Sequence, residues 1–221
     1  MWQVLHKLVA GLGTAAPRRS KHYRRGESFG GFDLSLPPRE AALLGAELSR
    51  AKTVLEYGAG GSTFLALECG VAHIISVESD TKWATRINAA LGARFDADRF
   101  QIHHADIGAT GAWGYPKNQT QFQRYPAYAA APYDFPAFQH PDLVVIDGRF
   151  RVACFLSAML RCTRPVRLVF DDYRDRPYYH WVERYAAPVE TAGRMAVFDL
   201  APRAFPLEDF ANVLEAFVDC R

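Results

Sequence analysis

From Thr53 onward, short apolar runs alternate with segments of helical spacing. The runs are TVLEY (53–57), AHIISVE (72–78), FQIHHAD (100–106), DLVVIDG (142–148), VRLVFDD (166–172) and AGRMAVFDL (192–200). Between them lie STFLALECG, DTKWATRINAALG, RFRVACFLSAMLR and RPYYHWVERYA, and LEDFANVLEAFV closes the series. Asp80 is placed to cap one helix, and Gly70 and Gly92 to stop two. PPREAALLGAELSRA precedes the series and reads as a helix begun by Pro37 and Pro38. Strands that are apolar throughout need cover on both faces, so the alternation predicts an α/β fold around a mainly parallel sheet. Crossovers in such a sheet are right-handed, and ligands sit at the carboxyl ends of the strands, beside the switch point.

The chain is long enough for one such domain. Its 221 residues are 49% hydrophobic. A formal net charge of +2 does not call for a nucleic-acid partner. Cys69, Cys154, Cys162 and Cys220 form no CxxC pair, which points to a reducing compartment without a zinc site or disulfide framework. No apolar run reaches the roughly 20 residues that span a bilayer. The expected location is therefore the cytoplasm.

The first run leads into a glycine-rich turn, EYGAGGST, with Gly58, Gly60 and Gly61 in four residues. Glycine permits positive φ and lets a ligand approach the backbone. The N–H groups of the following helix then face that ligand. A dinucleotide fingerprint would require a third glycine where Thr63 stands. The turn instead resembles the first motif of class I S-adenosylmethionine-dependent methyltransferases, an acid followed by GxG, with Glu56 as the acid. An NAD(P)-binding Rossmann protein is the alternative.

Two further strand ends carry the resemblance. SVESD places Glu78 where the family's acid accepts from both ribose hydroxyls. HHADIG places Asp106 where the family commonly has an acid for the adenine amino group. PDLVVIDGRFR resembles the small bacterial methyltransferase-like proteins with DLVxIDG at this point. The resemblance covers about residues 40 to 200. It implies a Rossmann-like, doubly wound, mainly parallel seven-stranded sheet with helices on both faces. It also implies a cofactor site of Glu56, Tyr57, Gly58, Gly60, Gly61, Ser62, Glu78, Ser79, Asp106, Ile107 and Asp147.

The chemistry is expected at the next two strand ends, Asp147-Gly148-Arg149 and Asp171-Asp172-Tyr173. Methyl transfer needs an aligned acceptor and a route for its proton. Asp147, Arg149 and Asp172 are the candidate catalytic residues, although arginine stays protonated and makes a poor base. By resemblance to cation-dependent catechol-type O-methyltransferases, Asp147, Asp171 and Asp172 form a candidate divalent-metal site, with Asp172 replacing the usual Asn. Three carboxylates suit Mg²⁺. The competing expectation is a metal-free network in which Arg149, Arg151 or Arg174 pairs with them.

Residues 109–141 form an insertion dense in aromatics and proline, from Trp113 to Phe138, without clear periodicity. It reads as a lid over an apolar or sugar-like acceptor, or equally as a packed flap or a homodimer contact. His103, His104, His140 and His180 read as structural. Residues 1–38 read as an N-terminal arm. Val4, Leu5, Leu8, Val9 and Leu12 share one face of a short helix, and a basic run with no acid follows, up to Arg25. Docking on the 39–221 domain or on a second subunit is expected of it, with peripheral membrane contact as an alternative. The leading expectation is a methyltransferase for a small-molecule or glycan-like acceptor, O-directed. The alternative is a binding module that keeps the fold without catalysis. An RNA methyltransferase is disfavoured because IDGR stands where the aromatic-proline tetrapeptide of N-directed base methylation would be.

Overall fold

The computed structural model describes Ser28, Phe29 and residues 31–221. The expected helix at residues 4–12 and the basic run lie outside them. Two short strands, β1 (Ser28–Phe29) and β2 (Phe32–Asp33), pair as a hairpin before α1 (Pro38–Leu48). There follow β3 (Thr53–Tyr57), α2 (Gly61–Glu68), β4 (His73–Glu78), α3 (Thr81–Gly92), β5 (Phe100–His104), α4 (Tyr125–Ala130), β6 (Leu143–Ile146), α5 (Arg151–Arg161), β7 (Val166–Phe170), β8 (Glu190–Ala192), β9 (Met195–Leu200) and α6 (Phe210–Ala216).

Seven strands form one sheet in the order β5-β4-β3-β6-β7-β9-β8. The strands from β3 to β7 are parallel, while β9 runs antiparallel to β7 and β8 forms a hairpin with it. The chain builds outward from β3 to β5, then returns to build β6 and β7 on the other side. The switch point therefore lies between β3 and β6, which pair in register with Tyr57 opposite Ile146.

Side-chain alternation explains the apolar strands. Leu55, Tyr57, Val144, Ile146, Leu168, Phe170 and Phe198 pack on one face, against α4 and α5. Val54, Ile74, Leu143, Val145, Val169 and Val197 pack on the other, against α1 and α2. Each large apolar side chain buried this way contributes about 1.5–3 kcal/mol. Asp80 caps α3 by accepting from the Trp83 N–H at 2.8 Å.

Two expectations are corrected. The boundary at residue 38 falls inside a packed region, because Phe29, Phe32, Leu34 and Leu36 are buried beside α2. Phe32 stacks on Phe64 at 5.4 Å and meets Trp83 edge-on at 5.0 Å. The run AGRMAVFDL is not one strand: Gly193, at φ +55°, turns β8 into β9. The segment Pro177–Arg184 is helical as expected, in the tighter 3-10 form.

The insertion is folded. Tyr125, Tyr128 and Tyr133 are buried, and their stretch contains α4 and a 3-10 turn at Ala131–Asp134. Buried phenols need polar partners. The Tyr125 hydroxyl donates to the Asn118 carbonyl, and the Tyr128 hydroxyl accepts from the Arg149 N–H. The second half of the insertion is thus a flap built into the core. Trp113 and Phe122 remain exposed.

Candidate active site

The glycine turn after β3 has three glycines with three different reasons. Gly58 sits at φ +98°, and a Cβ there would lie 2.7 Å from the Gly148 nitrogen. Gly61 carries no positive φ, but a Cβ on it would lie 2.7 Å from the Asp33 carbonyl oxygen. Gly60 is extended and a Cβ on it would meet nothing within 4 Å. Neither strain nor packing requires glycine at residue 60; it opens onto a cavity.

That cavity measures about 920 Å³ and lies over the carboxyl ends of β3, β4, β6 and β7. Sites for small ligands commonly span about 300–1,000 Å³, so this one has room for a nucleoside-sized cofactor beside a small acceptor. Gly58, Gly60, Gly61, Ser62, Glu78, Ser79, Asp147, Arg149 and Asp172 all line it. A second, more open depression of about 480 Å³, beside Arg39, Arg174 and Gly193, lies away from these residues.

Glu56 and Tyr57 do not line it. Glu56 is buried beneath the turn, where its carboxylate accepts from the hydroxyls of Ser62, Thr63 and Ser76 at 2.5–2.6 Å. Burial raises its pKa, against those three donors. Its role is to brace the first turn of α2, including Thr63, which accepts from the Gly60 N–H at 3.0 Å. The Tyr57 hydroxyl points the other way and donates to the Ala129 carbonyl at 2.6 Å. Asp106 and Ile107 also stand apart. Asp106 is largely exposed, accepts from the Gly108 N–H and pairs with Arg124 on the insertion at 2.5 Å. Ile107 is buried in the core.

Glu78 is placed differently. Its Oε1 accepts from the N–H groups of Ser79 and Asp80 at 2.7 and 2.8 Å, which fixes the carboxylate at the strand end. Among the described residues, Oε2 accepts no hydrogen bond. Burial raises the Glu78 pKa, partly offset by the two backbone donors. Gly114 of the insertion closes on this point, and its carbonyl accepts from the Ser79 hydroxyl at 3.0 Å. The preceding Trp113 has φ +60°, lines the cavity mouth and is 83% exposed.

At the other end, the pairing of β6 with β7 places Ile146 opposite Phe170, so Asp147 and Asp171 emerge side by side. Asp147, Asp171 and Asp172 offer oxygens within 4.8 Å of one another. Arginines already hold them. Arg151 pairs with Asp147 and Asp172 at 3.2 Å each. Arg176 pairs with Asp172 at 2.7 Å. Arg194 takes both oxygens of Asp171, at 3.2 and 3.0 Å, and Asp172 at 2.7 Å. Among the described residues, only Asp147 Oδ2 of the six oxygens carries no ion-pair contact. A hard cation needs several free oxygens, and this donor set does not offer them, so Mg²⁺ does not fit. Of the arginines expected to pair with these acids, Arg151 does so and Arg176 and Arg194 join it, whereas Arg149 pairs with no acid among the described residues, and Arg174 donates to the Gly193 carbonyl.

Enclosure at the cavity floor, then the neighbouring Asp171, push the Asp147 pKa up to about 7, against the pull of Arg151. A carboxyl group poised there can take a proton near neutral pH.

No protein-family model and no curated protein matches this chain. Among solved structures, a methyltransferase-like protein of Silicibacter pomeroyi DSS-3 is 39% identical, with a TM-score of 0.80 over 85% of this chain and 98% of that one. The chain belongs to the class I S-adenosylmethionine-dependent methyltransferase superfamily. More distant structures share the fold. The O-methyltransferase TomG of Streptomyces achromogenes, involved in tomaymycin synthesis and solved with S-adenosylmethionine, is 17% identical, with a TM-score of 0.52 over 77% of this chain and 83% of that one. An O-methyltransferase of Bacillus cereus, solved with S-adenosylhomocysteine, is 14% identical, with a TM-score of 0.50 over 74% and 82%.

The superfamily's cofactor suits the residues of this methyltransferase-like chain. Gly60 opens onto free space, the first N–H groups of α2 follow it, and among the described residues the Glu78 hydrogen bonds all fall on Oε1. Arg176 and Arg194 escaped the sequence reading. Arg194 reaches the acids from the β8–β9 turn, 22 residues beyond Asp172, and no local pattern marks it.

Proposed function

We propose that the protein is an S-adenosylmethionine-dependent methyltransferase acting on a hydroxyl of a small-molecule acceptor. The observation that carries this reading is one cavity that joins the glycine turn and Glu78 to Asp147. Gly58, Gly60, Gly61, Ser62, Glu78 and Ser79 would hold the cofactor. Glu78 Oε2 would accept from ribose hydroxyls, and the α2 amides would serve the polar amino-acid end. When bound, the cofactor supplies an electrophilic methyl group.

The chain's own residues do the rest. Asp147 Oδ2, the open oxygen of the cluster, takes the proton of the acceptor hydroxyl as that oxygen becomes nucleophilic. Arg151 holds the other Asp147 oxygen and fixes the orientation of the carboxylate. Asp172 acts through Arg151 and Arg176 as a positioning residue. The flap around Tyr128 and the 112–115 turn narrow the opening and limit water. Among the described residues no helix is long and apolar enough to cross a membrane, and a cytoplasmic small-molecule enzyme remains our reading.

Calorimetry with S-adenosylhomocysteine tests the cofactor, and incubation of cell metabolites with methyl-labelled S-adenosylmethionine tests the reaction. Binding together with a labelled product that Asp147→Asn abolishes is the expected result. Binding without any labelled product favours the non-catalytic binding module.

A further inference from the structure

Four arginines line the β6–β7 end of the cavity: Arg149, Arg151, Arg176 and Arg194. Three of them are spent on the three carboxylates. Arg149 is not. It is 7% exposed, and its Nε and Nη1 are closed off with no hydrogen-bond partner among the described residues. Its guanidinium lies 4.0 Å from the centroid of the Tyr115 ring.

An arginine cannot shed its proton to escape burial. Its charge persists, and a ring face compensates only part of what water would have provided. The backbone holds the side chain in place. The Arg149 N–H donates to the Tyr128 hydroxyl at 3.2 Å, its carbonyl accepts from the Cys154 thiol at 3.5 Å, and Phe150 follows in a left-handed conformation at φ +53°. A fixed, desolvated guanidinium on a cavity wall is a ready partner for a two-oxygen anion.

We propose that Arg149 is the anion-recognition residue of the acceptor site, so that the molecule methylated carries a carboxylate or phosphate group, with Tyr115 closing over the ion pair. The inference rests on the methyltransferase reading. The same anion chemistry could come from the cofactor's own carboxylate. Backbone position favours the acceptor: Glu78 and the glycine turn follow β4 and β3, whereas Arg149 follows β6, on the other side of β3; its guanidinium reaches Tyr115, next to Gly114 at the Glu78 end, so the test separates the two sources.

The test is calorimetry on the full chain saturated with S-adenosylhomocysteine, using benzoate and phenyl phosphate against their neutral counterparts benzamide and benzyl alcohol. We expect an anion to bind at least tenfold more tightly than its neutral counterpart. Arg149→Met should erase that preference while S-adenosylhomocysteine affinity stays within twofold, and Arg149→Lys should keep part of it. The wild-type comparison needs no variant to fold. Equal binding of charged and neutral probes, or none by either anion, overturns the proposal. So does an Arg149→Met protein that loses S-adenosylhomocysteine but keeps methylthioadenosine, which lacks the carboxylate; that result assigns the arginine to the cofactor. If the wild type ignores S-adenosylhomocysteine yet still prefers benzoate to benzamide, the cofactor reading fails and the anion site stands.

Discussion

Gly58 and Gly148 meet back to back: a Cβ on Gly58 would lie 2.7 Å from the Gly148 nitrogen, and one on Gly148 would lie 2.8 Å from the Gly58 nitrogen. The glycine turn after β3 and the acid-bearing turn after β6 therefore rest directly on one another. Gly58→Ala should cost about 2–4 kcal/mol, from its positive φ and from overlap with rigid backbone. Gly60→Ala should leave the melting temperature nearly unchanged and weaken S-adenosylhomocysteine, because its methyl group enters the cavity. Paired melts and calorimetry check both. Equal destabilisation by the two variants would refute the assignment of separate roles.

Glu78→Gln should weaken S-adenosylhomocysteine and methylthioadenosine alike, by tenfold or more, since the lost bonds go to the ribose that both carry. Asp106→Ala should matter less, because Asp106 is engaged with Arg124 outside the cavity. Titration of both ligands against both variants decides it; a larger loss at Asp106 would reverse the ranking.

The raised pKa of Asp147 has consequences for rate and for stability. Between its ordinary value of 3.8 and about 7, the folded chain holds a proton that the unfolded chain has lost. This contribution to stability is complete below about pH 4 and is gone once the pH rises past about 7. As a base the group works only above that point, so the rate should rise through about pH 7. Asp147→Asn should remove the rising limb and flatten the dependence of melting temperature on pH over the same window. An unchanged profile would exclude Asp147 as the base.

Because arginines occupy the acids, neither Mg²⁺ nor chelator should move the melting temperature of the wild type. Arg194→Met frees both Asp171 oxygens and should destabilise the chain by about 1–3 kcal/mol. That variant alone should gain stability from Mg²⁺. A wild type stabilised by the ion would contradict the network as described.

Hydrogen exchange should find the amides of Tyr125–Tyr133 protected without any ligand, as befits a buried flap. The Ala112–Tyr115 stretch should slow only when S-adenosylhomocysteine binds. Uniform slowing across the whole insertion would restore the picture of a single closing lid.

The sheet, its switch point and the line of site residues at strand ends were legible because each rests on local pattern. Apolar runs, a glycine turn and an acid after each run all lie within a few neighbouring positions. Glu56 misled because an acid before GxG looks the same in sequence whether it faces a ligand or three hydroxyls. Its partners Ser62, Thr63 and Ser76 were visible, but not their orientation. The insertion hid its order because tyrosines with long-range partners, such as Tyr128 with Arg149, need no periodicity. Arg194 was illegible for a related reason: Gly193 and the buried Glu40, which accepts the Arg194 N–H at 3.1 Å, place it through contacts 154 residues apart.

The position of Arg194 also bears on the order of assembly. Asp147 and Asp171 can come together as soon as β6 and β7 pair, using chain already made. The counter-charge of Asp171, Arg194, arrives with the β8–β9 hairpin, which must dock antiparallel on β7. Until then the nascent sheet carries a knot of like charges at its working end, restrained by Arg151 and Arg176 alone. The last hairpin thus acts as an electrostatic latch, and a chain stopped before residue 190 would hold the glycine-turn half of the fold beside an acid-bearing half that repels itself.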